Sequence, residues 1–152
     1  MRLWGLTCAC VVVRAPAHLS TVSANTNTKC DSSLLQFGLL TDVTMLNLGI
    51  NAFTGTTPTE IGRLTKLTSG SGFDGFLATN QLVGEAPTQL GLLTDFERYF
   101  FISKNQFTGS LPSELGSLTK MTSVYAVDGE FDSTLPTQIG RLSKMRYCLK
   151  AR

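Results

Sequence analysis

The chain of 152 residues carries a single histidine, His18, so arrangements that pair a serine or cysteine with an imidazole, and most zinc sites, have only one ring to draw on. That ring lies in or beside an N-terminal stretch that reads as a leader. Asp128, Glu130 and Asp132 in DGEFD form the tightest acidic group. A calcium loop needs more oxygen ligands at set spacing, and these three read as a solvated turn. Spacing alone neither selects nor removes a carboxylate pair for glycoside cleavage. The chain has no GxxxxGK(S/T) phosphate loop and no kinase signature. It therefore reads as non-enzymatic, with no cofactor and no metal.

Charge narrows the partners. Arg2 precedes an apolar run from Leu3 to Val13, followed by small residues with two cleavage patterns, after Ala17 or after Ala24. This is the layout of a secretory signal, and the expectation is a leader over residues 1–24. The run of eleven residues, at about 1.5 Å each, is too short for a hydrocarbon core of about 30 Å. Removing the leader takes away Arg2 and Arg14 and leaves 11 bases against 11 acids. Such a balance does not favour nucleic acid, whose binding displaces counterions with a basic surface. The basic tail, Arg141, Lys144, Arg146, Lys150 and Arg152, reads as the solvated flank of a last structural unit. Cys8 and Cys10 leave with the leader. Cys30 and Cys148 belong to opposite ends of the remaining chain, too far apart to bridge.

The elements that must position any binding residue are repeats. NAFTGTTPTEIG begins at Asn51, NQLVGEAPTQLG at Asn80, NQFTGSLPSELG at Asn105 and GEFDSTLPTQIG at Gly129. Their prolines, Pro58, Pro87, Pro112 and Pro136, are separated by 29, 25 and 24 residues, the period of a solenoid. Each unit holds too little apolar surface to make a core alone, and stacking supplies it. In the first unit Met45 to Gly49 alternates like a short strand, and Asn51 follows at a turn where an amide side chain can satisfy backbone donors. Thr54-Gly55 and Pro58 punctuate the return arm.

This pattern resembles the plant-type extracellular class of leucine-rich repeats, LxxLxxLxLxxNxFTGxIPxxIGxLTxL, over residues 38 to 152. The resemblance implies an α/β solenoid: a right-handed stack of about four full coils and an incomplete fifth, with a parallel β-sheet on the concave face and turns or 3₁₀ segments on the convex face. Residues 25–37 would then be a short N-terminal cap. The family's internal asparagine ladder carries over to Asn51, Asn80 and Asn105.

Departures are equally informative. Gly129 takes a ladder position and removes one rung; an insertion of about five residues between Thr68 and Gly75 precedes the second strand; and no Asn-x-Ser/Thr sequon is present. Only Cys30 is available where the family's cap uses a cysteine pair. The sequence GRLSKMRYCLKAR opens a fifth coil and stops inside its strand, which reads as a fragment of a longer protein.

Strand alternation, aligned on the ladder positions, puts Asn47, Phe76, Phe101, Tyr125 and Leu149 in a central outward column. Met45, Asp74, Tyr99, Ser123 and Tyr147 flank it. Aromatic columns suit sugars or the apolar anchors of a protein partner, although cross-strand packing would use the same residues. The leading expectation is a secreted or cell-surface module that binds a protein, peptide or glycan through this sheet, with Asn47, Phe76, Phe101, Tyr125, Leu149, Tyr99 and Tyr147 as contacts. The alternatives are the truncated ectodomain of a membrane receptor-like kinase, with a membrane partner only if the natural chain continues past Arg152, and an intracellular interaction scaffold with a misassigned start.

Overall fold

Short apolar ladders separated by proline and glycine cannot close a helix of useful length, and they fold here as stacked coils. The computed structural model describes residues 11–12, 21–24, 38–69, 76–131 and 134–149. Its strands are β1 (Val11–Val12), β2 (Thr21–Ala24), β3 (Met45–Asn47), β4 (Thr54–Thr56), β5 (Gln81–Glu85), β6 (Tyr99–Phe101), β7 (Gln106–Gly109), β8 (Ser123–Tyr125), β9 (Glu130–Phe131) and β10 (Tyr147–Leu149). The 3₁₀ helices Thr59–Arg63, Thr88–Leu92, Ser113–Ser117 and Thr137–Arg141 fall between them.

Three sheets result, in the orders β1-β2-β3, β10-β8-β6 and β4-β5-β7-β9. All pairings are parallel except β1 with β2. The first two sheets belong to one ladder. Between them, bridges join Met45 to Ser69 and Asn47 to Phe76, and the Leu48 amide donates to Phe76 O at 2.8 Å. The Leu77 amide then donates to Phe101 O at 3.3 Å. Residues 70–75 of the glycine-rich insertion lie outside the described residues. So do most of the expected leader with His18, Cys8 and Cys10, the expected cap 25–37 with Cys30, and Asp74, Asp132, Lys150 and Arg152.

The third sheet adds to the expected architecture. Where the sequence predicts only turns or 3₁₀ segments on the second face, the FTG-type stretches extend and pair between coils before each 3₁₀ helix. Gly84, in β5, takes φ +78, a conformation that side chains rarely adopt, and a Cβ there would stand 3.3 Å from Thr56 Cγ2.

Each 3₁₀ helix has the same local cause. Proline fixes φ ahead of the turn, and its carbonyl accepts from the amide three residues on: Ile61 to Pro58 at 3.2 Å, Leu90 to Pro87 at 3.0 Å, Leu115 to Pro112 at 3.1 Å and Ile139 to Pro136 at 3.0 Å. The glycine that follows lets adjacent coils approach. A Cβ on Gly91 would lie 2.5 Å from Glu114 Cβ and from Glu114 O.

The interior is one apolar cluster running through the stack. Leu46, Leu48, Ile61, Leu64, Leu67, Leu77, Leu82, Leu90, Phe96, Phe100, Phe107, Leu115 and Val124 are among its fully covered members. Burial of each such side chain stabilises by about 1.5–3 kcal/mol relative to exposure, which is how coils too small to fold singly hold together.

Candidate functional site

The asparagine ladder sets the register of everything on the sheet face. Asn80 accepts from the Phe53 amide through Oδ1 at 3.1 Å, and its Nδ2 donates to Leu48 O at 2.9 Å and Leu77 O at 3.0 Å. Asn105 repeats this one coil later, accepting from the Leu82 amide at 3.1 Å and donating to Leu77 O at 2.9 Å and Ile102 O at 3.2 Å. Both amides are buried and satisfied. Asn51 donates to Leu48 O at 3.0 Å and Gly49 O at 2.9 Å within its own coil. The residue before each ladder position, Ile50, Thr79, Lys104 or Asp128, has φ between 52 and 57, a recurrent left-handed turn the sequence reading missed.

With that register, β6, β8 and β10 align Tyr99 with Ser123 and Tyr147, Phe100 with Val124 and Cys148, and Phe101 with Tyr125 and Leu149. Phe100 and Val124 point into the core. Their neighbours take the opposite face. Phe101 and Tyr125 stack with ring centroids 4.5 Å apart and planes at 20°, and the Tyr99 ring lies 5.7 Å from Phe101 and 6.4 Å from Tyr125. The rings cover one another. Phe101 is only 4% exposed although it is outside the interior cluster, Tyr99 and Tyr125 are half-buried, and Tyr147 is 58% exposed. Ser123, between Tyr99 and Tyr147 in register, is buried with no hydrogen-bond partner for its Oγ.

Phe76 departs from the expected column. Its backbone takes φ 57, which breaks strand alternation beside the insertion, and its ring enters the core against Phe96 at 5.4 Å and Phe100 at 5.3 Å. It is fully buried and presents nothing to a ligand. Asn47 stays partly exposed, but its Oδ1 is occupied by the Gly49 amide at 3.1 Å. Leu149 has its place in β10 by backbone register. The structure thus gathers Tyr99, Phe101, Tyr125 and Tyr147 on one face and separates them from Phe76.

Beside this face is a cleft of about 300 Å³ lined by Glu97, Arg98, Lys120, Thr122 and Lys144, none of them a sequence-predicted contact. One signal was available: Phe96 to Phe100 spans four residues where Met121 to Val124 spans three. The added residue is a bulge. In the later coil Thr122 both donates to Arg98 O at 3.1 Å and accepts from the Arg146 amide at 2.7 Å, whereas in the earlier coil Glu97 donates to Thr68 O at 2.8 Å and Arg98 does the accepting. Lys120 pairs with Asp95 at 2.8 Å, and that hydrogen bond, with the attraction of the charge, holds its ammonium above the ordinary lysine value of 10.5. Among the described residues, no group of three or more His, Cys, Asp or Glu side chains is placed to hold a metal ion, and no helix is long and apolar enough to cross a membrane.

Comparison with known proteins places this arrangement. The leucine-rich-repeat ectodomain of the receptor kinase GASSHO1/SCHENGEN3 from Arabidopsis thaliana is similar over 74% of this chain and 13% of its own, with 31% identity and a TM-score of 0.68. PEPR1 is similar over 78% of this chain and 16% of its own, at 28% identity and a TM-score of 0.70. The Arabidopsis receptor kinase HAESA, at 22% identity and a TM-score of 0.68 over 79% of this chain and 20% of its own, shares the fold. No family model and no curated protein matches. The chain is a leucine-rich-repeat solenoid. Ectodomains of plant receptor kinases are among its structural neighbours, and it spans about a fifth or less of the length of the first of them.

Proposed function

We propose that the chain is a non-enzymatic recognition module that binds a peptide, or a peptide-like segment of a protein, across the Tyr99, Phe101, Tyr125 and Tyr147 face. The observation that carries this is a cluster of aromatic rings on the solvent side of a sheet whose other side is the core. Large amphipathic rings held rigid by stacking give contact area at low entropic cost, the property of binding hot spots. The neighbours support a peptide over a glycan: PEPR1 is described with AtPEP1, and HAESA with the peptide hormone IDA and the co-receptor SERK1. Selection of a phage-displayed peptide library on the immobilised chain tests this. Enriched peptides should lose binding to the variant Phe101→Ala/Tyr125→Ala; equal binding, with folding intact by circular dichroism, would refute the reading.

We also propose an extracellular location, resting on the leader pattern and on the neighbours being receptor ectodomains. Processing after Ala17 removes β1 (Val11–Val12) but keeps β2 (Thr21–Ala24) on its partner β3, whereas processing after Ala24 removes both strands, so the earlier cut is proposed. N-terminal sequencing of exported protein should begin at His18. A cytosolic protein that retains Met1 would instead support the intracellular scaffold.

A further inference from the structure

The bulged coil places an arginine in the cleft beside the aromatic face. Ion pairs join successive coils at one repeated position: Asp42 meets Lys66 at 2.7 Å, and Asp95 meets Lys120 at 2.8 Å. The next coil repeats the position with Lys144, in LSKM, where LTDV, LTKL, LTDF and LTKM precede it. Among the described residues its neighbour at the same position is Lys120, not an acid. The bulge adds Arg98 to the same cleft, and among the described residues neither Arg98 nor Lys144 takes part in an ion pair. Against these two cations the lining holds one acid, Glu97, because Lys120 is already matched by Asp95. The surplus is one positive charge, and two lining residues, Arg98 and Thr122, directly precede Tyr99 and Ser123 of β6 and β8.

Resting on the peptide-binding reading of the aromatic face, we propose that this cleft receives a single side-chain carboxylate of the bound peptide, between Arg98 and Lys144, while an adjacent apolar or aromatic residue of that peptide packs on Tyr99, Tyr125 and Tyr147. Arg98 offers a planar set of donors matched to a carboxylate, and Lys144 offers a mobile point charge. The small surplus excludes a polyanion as the preferred partner. A sulfated glycan would meet Glu97 and Asp95 along the same surface, and like-charge contact of that kind selects against it.

Two capped pentapeptides, acetyl-Gly-Phe-Asp-Phe-Gly-amide and its Asn counterpart, test the cleft by titration followed in ¹⁵N–¹H spectra of the whole chain. The Asp peptide should bind about fivefold more tightly, the upper range for an exposed ion pair. That difference should vanish in the variant Arg98→Gln/Lys144→Gln and shrink in about 0.5 M salt. Both side chains are exposed, so the variant should melt with the parent. Glu97→Gln should strengthen binding of the Asp peptide. Equal affinity for the two peptides overturns the cleft while leaving the aromatic face intact as a binding surface; binding of neither overturns both. A heparin tetrasaccharide that displaces the Asp peptide from the cleft and binds more tightly than it does overturns the proposal in favour of an acidic glycan.

Discussion

Phe101 and Tyr125 lie directly opposite each other on the parallel strands β6 and β8, with their rings stacked 4.5 Å apart and their planes within 20° of parallel. The contact covers one face of a phenylalanine that is only 4% exposed. A double-mutant cycle with Phe101→Ala and Tyr125→Ala should therefore give a coupling energy of about 1 kcal/mol beyond the cost of lost area. Urea unfolding of the four proteins measures it. Strict additivity would mean that the rings stand apart in solution.

The repeated glycine after each 3₁₀ turn gives a sharper internal contrast. Gly91→Ala forces a Cβ to 2.5 Å from Glu114 Cβ and O, and overpacking of this kind costs about 1–3 kcal/mol. Gly140→Ala, at the same motif position, meets nothing within 4 Å and should stabilise by about 0.5 kcal/mol through the unfolded chain. Thermal melts of the two variants should move in opposite directions.

These examples show which parts of the molecule were legible in the sequence. Asn80, Asn105, the four prolines and the spaced leucines each act through a local rule repeated coil by coil, so period and residue type alone gave the coil stack, the inner ladder and the alignment of Phe101 with Tyr125. Phe76 was unreadable because the glycine-rich insertion precedes it and its left-handed backbone sends the ring inward. The β4-β5-β7-β9 sheet was missed because its strands look like turns, carrying Gly55, Gly84 and Gly109 at positive φ. The cleft was missed because it depends on one extra residue, Glu97 or Arg98, whose effect shows only when neighbouring coils are compared.

Gly129 stands where Asn80 and Asn105 bridge coils, and the substitution Gly129→Asn should restore the rung. The new Cβ would approach Phe131 Cδ2 at 3.0 Å, but that ring is only half-buried and has room to shift. With two or more buried hydrogen bonds formed, the variant should gain about 1 kcal/mol, whereas Gly129→Ala, lacking the amide, should gain less. Chemical denaturation distinguishes the two.

Ile50 occupies a left-handed turn at φ 52 while 49% exposed, so its β-branched side chain carries backbone strain with little burial in return. Ile50→Asn should raise stability by about 1 kcal/mol, since asparagine tolerates this conformation. Ile50→Val keeps the branch and should leave the midpoint unchanged. A midpoint lowered by Ile50→Asn would contradict the turn geometry.

The claim on which the binding face and its cleft both depend is that successive coils pair in parallel, with Tyr99, Phe101, Tyr125 and Tyr147 on one side. Backbone nuclear Overhauser contacts test it most directly. The account predicts cross-strand contacts linking Phe100 to Val124 and Val124 to Cys148, with matching contacts between the rings of Phe101 and Tyr125. Sequential and helical contacts in these segments, with no cross-strand pairs at that register, would contradict it.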